Sequence, residues 1–333
     1  MSEIRVGVIG MGLFWNKVHK PIFEKLSDSL MICAFCSTNP VKKRELEKKY
    51  PRVPSFDNYE SLVSAPEIDA VLVMTPIPLN APVTMAALKA GKDVFVEKPM
   101  ALNVKDCERI IALEKETGKT VYPLEQYVYS GKYDKILEVI NSGEIGEVVY
   151  YDMLSHFFID ESQGQLIDYG TTKWRIDSEF PLGTIYDGGV HDFALLGKMF
   201  GCPKSVYATG SKLRPGFGEY DHLLMSFVYS DKFKASVSHS GYLGGHRGYF
   251  YIRGTMGLIV VEDSRIIVEA KNGESRIIEI AEENLSEKVW LDIIRAKSEG
   301  TTATFTSNDA VLGIKILESI EKSVRSGNKV DIL

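Results

Sequence analysis

Two hydrophobic rhythms divide the chain. Up to residue 122, short apolar runs alternate with stretches of helical period. Ile4–Ile9, Leu30–Cys36, Ala70–Met74, Val94–Val96 and Thr120–Tyr122 have strand length and are mostly apolar, as expected of strands buried on both faces of a parallel sheet. Between them lie helical stretches: one starting near Asn16, one over Lys42–Lys49 and one around Tyr59–Ser64. Two more run over Pro82–Ala90, closed by Gly91, and Val104–Thr117, closed by Gly118. This alternation predicts a doubly wound parallel sheet over residues 1–122. After Pro123 the rhythm changes. A helix over Tyr133–Asn141, stopped at Ser142-Gly143, precedes longer strand-like segments: Glu147–Phe157, Ser205–Leu213, His222–Tyr229, Phe233–Ser240, Tyr249–Arg253 and Leu258–Val261. Tight turns such as Tyr229-Ser230-Asp231-Lys232 predict a large, mostly antiparallel open sheet. Helices over Asp192–Phe200 and Ala310–Arg325 complete an α+β second domain, residues 123–333, whose last helix could pack back on the first domain.

The first run ends on Gly10-Met11-Gly12 and a helix follows. Strand, glycine turn and helix open a dinucleotide-binding Rossmann unit. The glycines let the backbone approach a pyrophosphate, and the helix N-terminus supplies amide donors and a positive dipole end. Trp15 stands where the fingerprint has its third glycine, and a plain tight turn would also use the other two. The place of the turn, at the end of the first strand, favours the coenzyme. The second run ends in Ser37-Thr38-Asn39-Pro40, where an NAD-selective site carries Asp or Glu for the ribose hydroxyls. Hydroxyls followed by Lys42, Lys43 and Arg44 suit a 2′-phosphate, so NADP(H) is expected in preference to NAD(H), which stays open. Part of Lys42–Lys49 is equally a solvated helix face with i,i+4 Lys–Glu pairs.

The run Val94–Val96 stops on Glu97-Lys98-Pro99. Pro99 cannot continue a ladder, so Lys98 sits at the carboxyl end of a strand, where open α/β sheets bind ligands. A partly desolvated lysine there can polarise a hydroxyl or carbonyl and pass a proton. An ordinary loop lysine is the plain alternative. In the second domain, Gly183 through His191 leads into a helix. Asp187 and His191 are spaced to share one face of a helical turn, and a carboxylate beside an imidazole orients it and raises its basicity. A structural pair is the alternative.

The totals exclude other classes. At 333 residues there is room for two domains, and a net charge of −6 gives no general attraction to nucleic acid or anionic membrane. The Met1–Arg5 start has no signal-peptide pattern and no apolar run reaches spanning length. A cytoplasmic protein with neither a nucleic-acid nor a membrane partner is therefore expected. Cys33, Cys36, Cys107 and Cys202 are too scattered for a zinc site, and no metal is expected. Cys33 and Cys36 fall inside the second apolar run and read as buried strand residues rather than a redox pair.

Taken together, these residues resemble the glucose–fructose oxidoreductase and inositol dehydrogenase (Gfo/Idh/MocA) family over essentially the whole chain. The matching pattern is Gly10/Gly12, Thr75-Pro76, Glu97-Lys98-Pro99 and Gly183 through His191. The Arg253-Gly254-Thr255-Met256-Gly257 turn and the final helix ending in Ser326-Gly327 also match. The resemblance implies an NAD(P)-dependent dehydrogenase or reductase acting on CH–OH groups of a sugar-like or polyol substrate, assembled as a homodimer or homotetramer. It implies that Lys98, Asp187 and His191 face the nicotinamide across an interdomain cleft. His191 would take the hydroxyl proton, Asp187 would orient it, and Lys98 would bond the same oxygen. It further implies Ser37 and Lys42 for the 2′-phosphate. Other coenzyme contacts fall at Gly10, Gly12, Leu13, Phe14, Thr38, Thr75, Pro76, Glu97, Lys98 and Gln126. Substrate contacts fall at Lys98, Tyr127, Trp174, Arg175, Asp187 and His191. The chain departs from the pattern at Leu182, which replaces a glycine, at Asn80, where a histidine is common, and at Ala194, where an acid is common. Glu125-Gln126-Tyr127 replaces a common Asn-Arg, so substrate identity does not carry over. Two rivals share the fold: a dinucleotide-binding regulator without turnover, and a redox glycosidase with tightly held NAD.

Overall fold

The computed structural model describes residues 3–157, 159, 172–177, 180, 182–243 and 248–332. The chain divides into two compact units, Met1–Gln126 with Leu285–Ile314, and Tyr127–Asn284 with Lys315–Leu333.

The first unit is built on six strands: β1 (Ile4–Ile9), β2 (Leu30–Cys36), β3 (Ser55–Phe56), β4 (Ala70–Val73), β5 (Asp93–Glu97) and β6 (Val121–Leu124). They pair in parallel in the order β3-β2-β1-β4-β5-β6. The continuous apolar runs are explained by burial: every residue of β4 is inaccessible to solvent. Strand order reverses between β1 and β4, which places a ligand crevice at the carboxyl ends of these strands. Gly10, Ser37, Thr75 and Lys98 all follow such ends closely. Cys33 and Cys36 are free thiols on β2, and burial pushes Cys36 up to about 11, which makes it a poor nucleophile.

In the first unit, three helices differ from expectation. The first begins at Leu13, and Trp15–His19 is wound as a π-helix, with the fully buried Trp15 edge-on to Phe23 at 5.3 Å. A bulky residue thus occupies the place where a third glycine would let helix and strand approach. The fourth helix runs over Ile77–Lys89, starting before Pro82. Pro78 lies in its first turn, where a missing N–H costs nothing, so proline did not mark the true start. The helix Leu285–Glu299 was not anticipated; it belongs to the first unit and buries Val289, Trp290, Ile293 and Ile294 on one stripe.

The second unit holds nine strands: β7 (Val148–His156), β8 (Ser205–Ser211), β9 (His222–Val228), β10 (Lys234–Ser240), β11 (Tyr249–Gly254), β12 (Gly257–Val261), β13 (Arg265–Ala270), β14 (Ser275–Glu279) and β15 (Val330–Asp331). Their order is β14-β13-β12-β11-β7-β10-β9-β8-β15, antiparallel except for the β7–β10 pair. Period-two burial is clear on β9, where Leu223, Met225 and Phe227 are buried while Leu224 and Ser226 are exposed. The helix Gly189–Phe200 packs on the covered face, with Phe193 against Phe227 at 5.9 Å. It starts three residues before the expected Asp192. The helix Ser307–Ser326 begins in the first unit and ends in the second. Among the described residues, no helix is long and apolar enough to cross a membrane.

Candidate active site

The glycine turn is fixed by close packing. Gly10 has φ +92°, and a Cβ there would lie 2.3 Å from the Met74 carbonyl oxygen at the end of β4. Only glycine fits. The turn delivers the chain into a helix whose first-turn amides, at Leu13 and Phe14, have no intrahelical acceptor. Such a cradle suits a pyrophosphate.

Beside it, the end of β2 meets the cations. Ser37 is half-buried and Thr38 exposed. Asn39 caps the helix Pro40–Lys49, accepting from the amides of Val41 at 3.0 Å and Lys42 at 3.1 Å. The cations then separate. Lys43 is paired with Asp57 at 2.6 Å, and Arg44 Nε donates to the Pro40 carbonyl at 3.3 Å. Lys42 Nζ has no carboxylate partner among the described residues and lies 3.8 Å from where a Cβ on Gly12 would be. A half-buried, unpaired ammonium beside a glycine turn suits an anionic ligand. The residues therefore fit a dinucleotide.

At the end of β5 the backbone around Lys98 is clamped. The side chain of Asn80, fully buried, donates to the carbonyls of Glu97 at 3.0 Å and Pro99 at 2.9 Å. Thr75 Oγ1 donates to Asn80 Oδ1 at 2.8 Å. The Lys98–Pro99 peptide is cis. Lys98 itself is half-buried. Glu97 bonds His19 Nε2 at 2.8 Å, and His19 Nδ1 accepts the indole N–H of Trp290 at 3.0 Å. Gln126 lines a small pocket beside this pair, together with Leu124, Ser286 and Val289. His19 and Trp290 were not singled out from sequence. An isolated histidine about two helical turns past the glycines was the available signal for His19. Asn80 stood out only as a departure.

In the second unit, Asp187 does not lie on the helix with His191. It sits in the turn before Gly189. Arg175 grips its carboxylate, Nε to Oδ2 at 2.6 Å and the second terminal nitrogen to Oδ1 at 3.2 Å. That guanidinium lies over the Trp174 ring, 4.1 Å from its centroid. The structure brings two expected substrate residues, Arg175 and Asp187, together as an ion pair. His191 is buried, and Tyr127 stacks on its ring with centroids 4.3 Å apart and planes within 16°. Behind the motif, Thr184 Oγ1 meets His239 Nε2 at 3.3 Å. His239 is fully buried, and desolvation, helped by His156 and His222, pushes it down to about 3. Leu182 adopts the left-handed conformation, φ +49°, as does Gly183 at +59°, so the substituted position does demand the conformation that glycine adopts freely.

A doubly wound sheet with a glycine turn and a lysine at the carboxyl end of β5 defines a dinucleotide-dependent oxidoreductase. Comparison with known proteins gives the family. Residues 4–124 match the family model described as "Oxidoreductase family, NAD-binding Rossmann fold", and residues 133–260 match the GFO/IDH/MocA C-terminal domain. A solved oxidoreductase of Thermotoga maritima superposes with TM-score 0.89 at 28% identity, covering 99% of each chain. The protein YMR315W of Saccharomyces cerevisiae is 27% identical over 92% of this chain and 86% of its own length. The scyllo-inositol 2-dehydrogenase (NADP(+)) IolW of Bacillus subtilis is 26% identical over 69% of this chain and 61% of its own, less than two thirds of that relative. The chain belongs to the Gfo/Idh/MocA family and is an NAD(P)-dependent oxidoreductase.

Proposed function

We propose that the protein transfers hydride between NADP(H) and a hydroxyl or carbonyl of a sugar-like or polyol substrate. The observation that carries the coenzyme choice is Lys42, whose ammonium has no carboxylate partner among the described residues and stands beside the glycine turn, with Ser37, not an acid, at the end of β2. A 2′-phosphate would take both. A relative named for NADP(+) and scyllo-inositol agrees with that reading. The nicotinamide, when bound, supplies the hydride acceptor or donor.

The protein's own groups handle the proton and the charge. In oxidation, His191 accepts the hydroxyl proton. Tyr127 holds its ring orientation by stacking. Lys98 donates a hydrogen bond to the same oxygen and stabilises the charge that develops on it. Asp187, paired with Arg175, forms a neutral, directional unit that hydrogen-bonds substrate hydroxyls. The open face of the second sheet, which carries the stacked Tyr249 and Tyr251 rings, suits a homodimer or homotetramer.

The test is a panel of sugars and polyols assayed with both coenzymes by nicotinamide absorbance. Turnover of one substrate class, faster with NADP(H), is the expected result. Tight coenzyme binding without turnover of any member would favour a regulator. Net glycoside hydrolysis without net coenzyme change would favour the redox glycosidase.

A further inference from the structure

The His19–Glu97 pair takes no part in the chemistry above, yet it is buried, polar and adjacent in sequence to Lys98. Its hydrogens are fixed by its partners. An indole N–H can only donate, so Nδ1 of His19 accepts from Trp290 and Nε2 carries the hydrogen given to Glu97. Donor on one side and carboxylate on the other select one tautomer and one ring orientation. Phe14, in the first turn of the helix after the glycines, packs edge-on to the same ring at 5.2 Å, and Trp290 does so at 5.8 Å.

We infer that His19 is a positioning residue for Lys98. Successive strand residues point to opposite faces, so holding Glu97 on one face directs Lys98 to the other. Asn80 binds the carbonyls that flank Lys98. With Glu97 tied as well, the lysine's backbone has no freedom to turn. The chain Trp290–His19–Glu97 thus links the helix Leu285–Glu299, the helix that follows the glycine turn and the strand end that carries the reacting lysine. The inference rests on the proposed role of Lys98.

The test is a double-mutant cycle of His19→Leu and Lys98→Met, read as turnover on the best panel substrate and as NADPH affinity. His19→Leu should lower turnover about 10- to 100-fold, the cost of misplacing a catalytic group by about 1 Å. NADPH affinity should stay within about threefold, since turnover and binding separate when only the reacting group moves. His19→Gln can give its amide hydrogen to Glu97 and its carbonyl to Trp290, and should restore most of the turnover. In the Lys98→Met background, His19→Leu should cost no more than about twofold, because groups acting as one unit are not additive. Unchanged turnover in His19→Leu, or an equal loss in both backgrounds, overturns the inference while leaving Lys98 in its role. Normal turnover in Lys98→Met overturns the role of Lys98 and the inference with it. Should His19→Leu not fold, Glu97→Gln enters the same cycle. It keeps an acceptor for Nε2 and removes the charge, and a loss of turnover confined to the Lys98 background is again expected.

Discussion

The end of β5 and the segment Asp187–His191 hold the groups proposed to react in opposite ways. Lys98 is held through its backbone: a fully buried asparagine grips the carbonyls before and after it. Asp187 and His191 are held through their side chains, one by a guanidinium and the other by a tyrosine ring that is 38% exposed. A backbone tie fixes where a side chain starts. A side-chain tie fixes the orientation and charge of the reacting group itself. The first suits a lysine that must follow an oxygen through a reaction; the second suits a base whose ring must present one nitrogen.

Changing the held groups separates the two modes. Lys98→Met keeps much of the volume and deletes the charge. Turnover should fall by about 10²–10⁴-fold, the range of a positioned acid–base group, with NADPH affinity nearly intact, since backbone amides near Gly10 and Gly12 would hold the pyrophosphate. Near-normal steady-state turnover would make Lys98 an ordinary loop lysine.

His191→Asn should lower turnover by about 10²-fold. The stronger sign is kinetic. In the unaltered protein, oxidation should rise with pH and reduction should fall over the same interval, since one group accepts the proton in one direction and donates it in the other. Both limbs should vanish in His191→Asn. Survival of the limb would move proton transfer to another group, with Lys98 first.

The support behind the second-unit motif has a pH signature of its own. His239 is held neutral down to about 3, well below its ordinary 6.5, chiefly by burial. The unfolded chain takes up that proton below 6.5 and the folded chain does not. Stability is therefore fully present above 6.5 and falls by about 1.4 kcal/mol for each pH unit below it, until the folded value is reached. Urea denaturation from neutral pH down to mildly acid pH should show this slope reduced by that amount in His239→Leu. An equal slope in both proteins would mean that His239 is protonated in the fold.

Sequence was most informative where local rules act alone. The parallel runs, the helix Val104–Thr117 with its left-handed Gly118 cap, and the glycine turn were legible from period and punctuation. Six of the strands in the second sheet were also legible, because one covered face imposes alternation. β13, β14 and β15 were not read, and neither was the return of Leu285–Ile314 to the first unit. That return depends on which face the stripe Val289, Trp290, Ile293 finds, which no local pattern specifies. The candidate residues were legible as types at strand ends. Their partners were not, because His19–Glu97 and Arg175–Asp187 join residues 78 and 12 positions apart. Pairing across such gaps is decided by topology.

The smallest expected effect bears on the central assignment, an NADP(H) site at the carboxyl ends of β1 and β2. Titration calorimetry of the unaltered protein with each coenzyme tests it without any knowledge of the substrate. NADP(H) should bind at least about tenfold more tightly than NAD(H), the roughly 1.4 kcal/mol expected of one charge-assisted contact at Lys42. Ser37→Asp should reverse the order by repelling the 2′-phosphate. Equal affinity of the unaltered protein for both coenzymes would contradict the assignment.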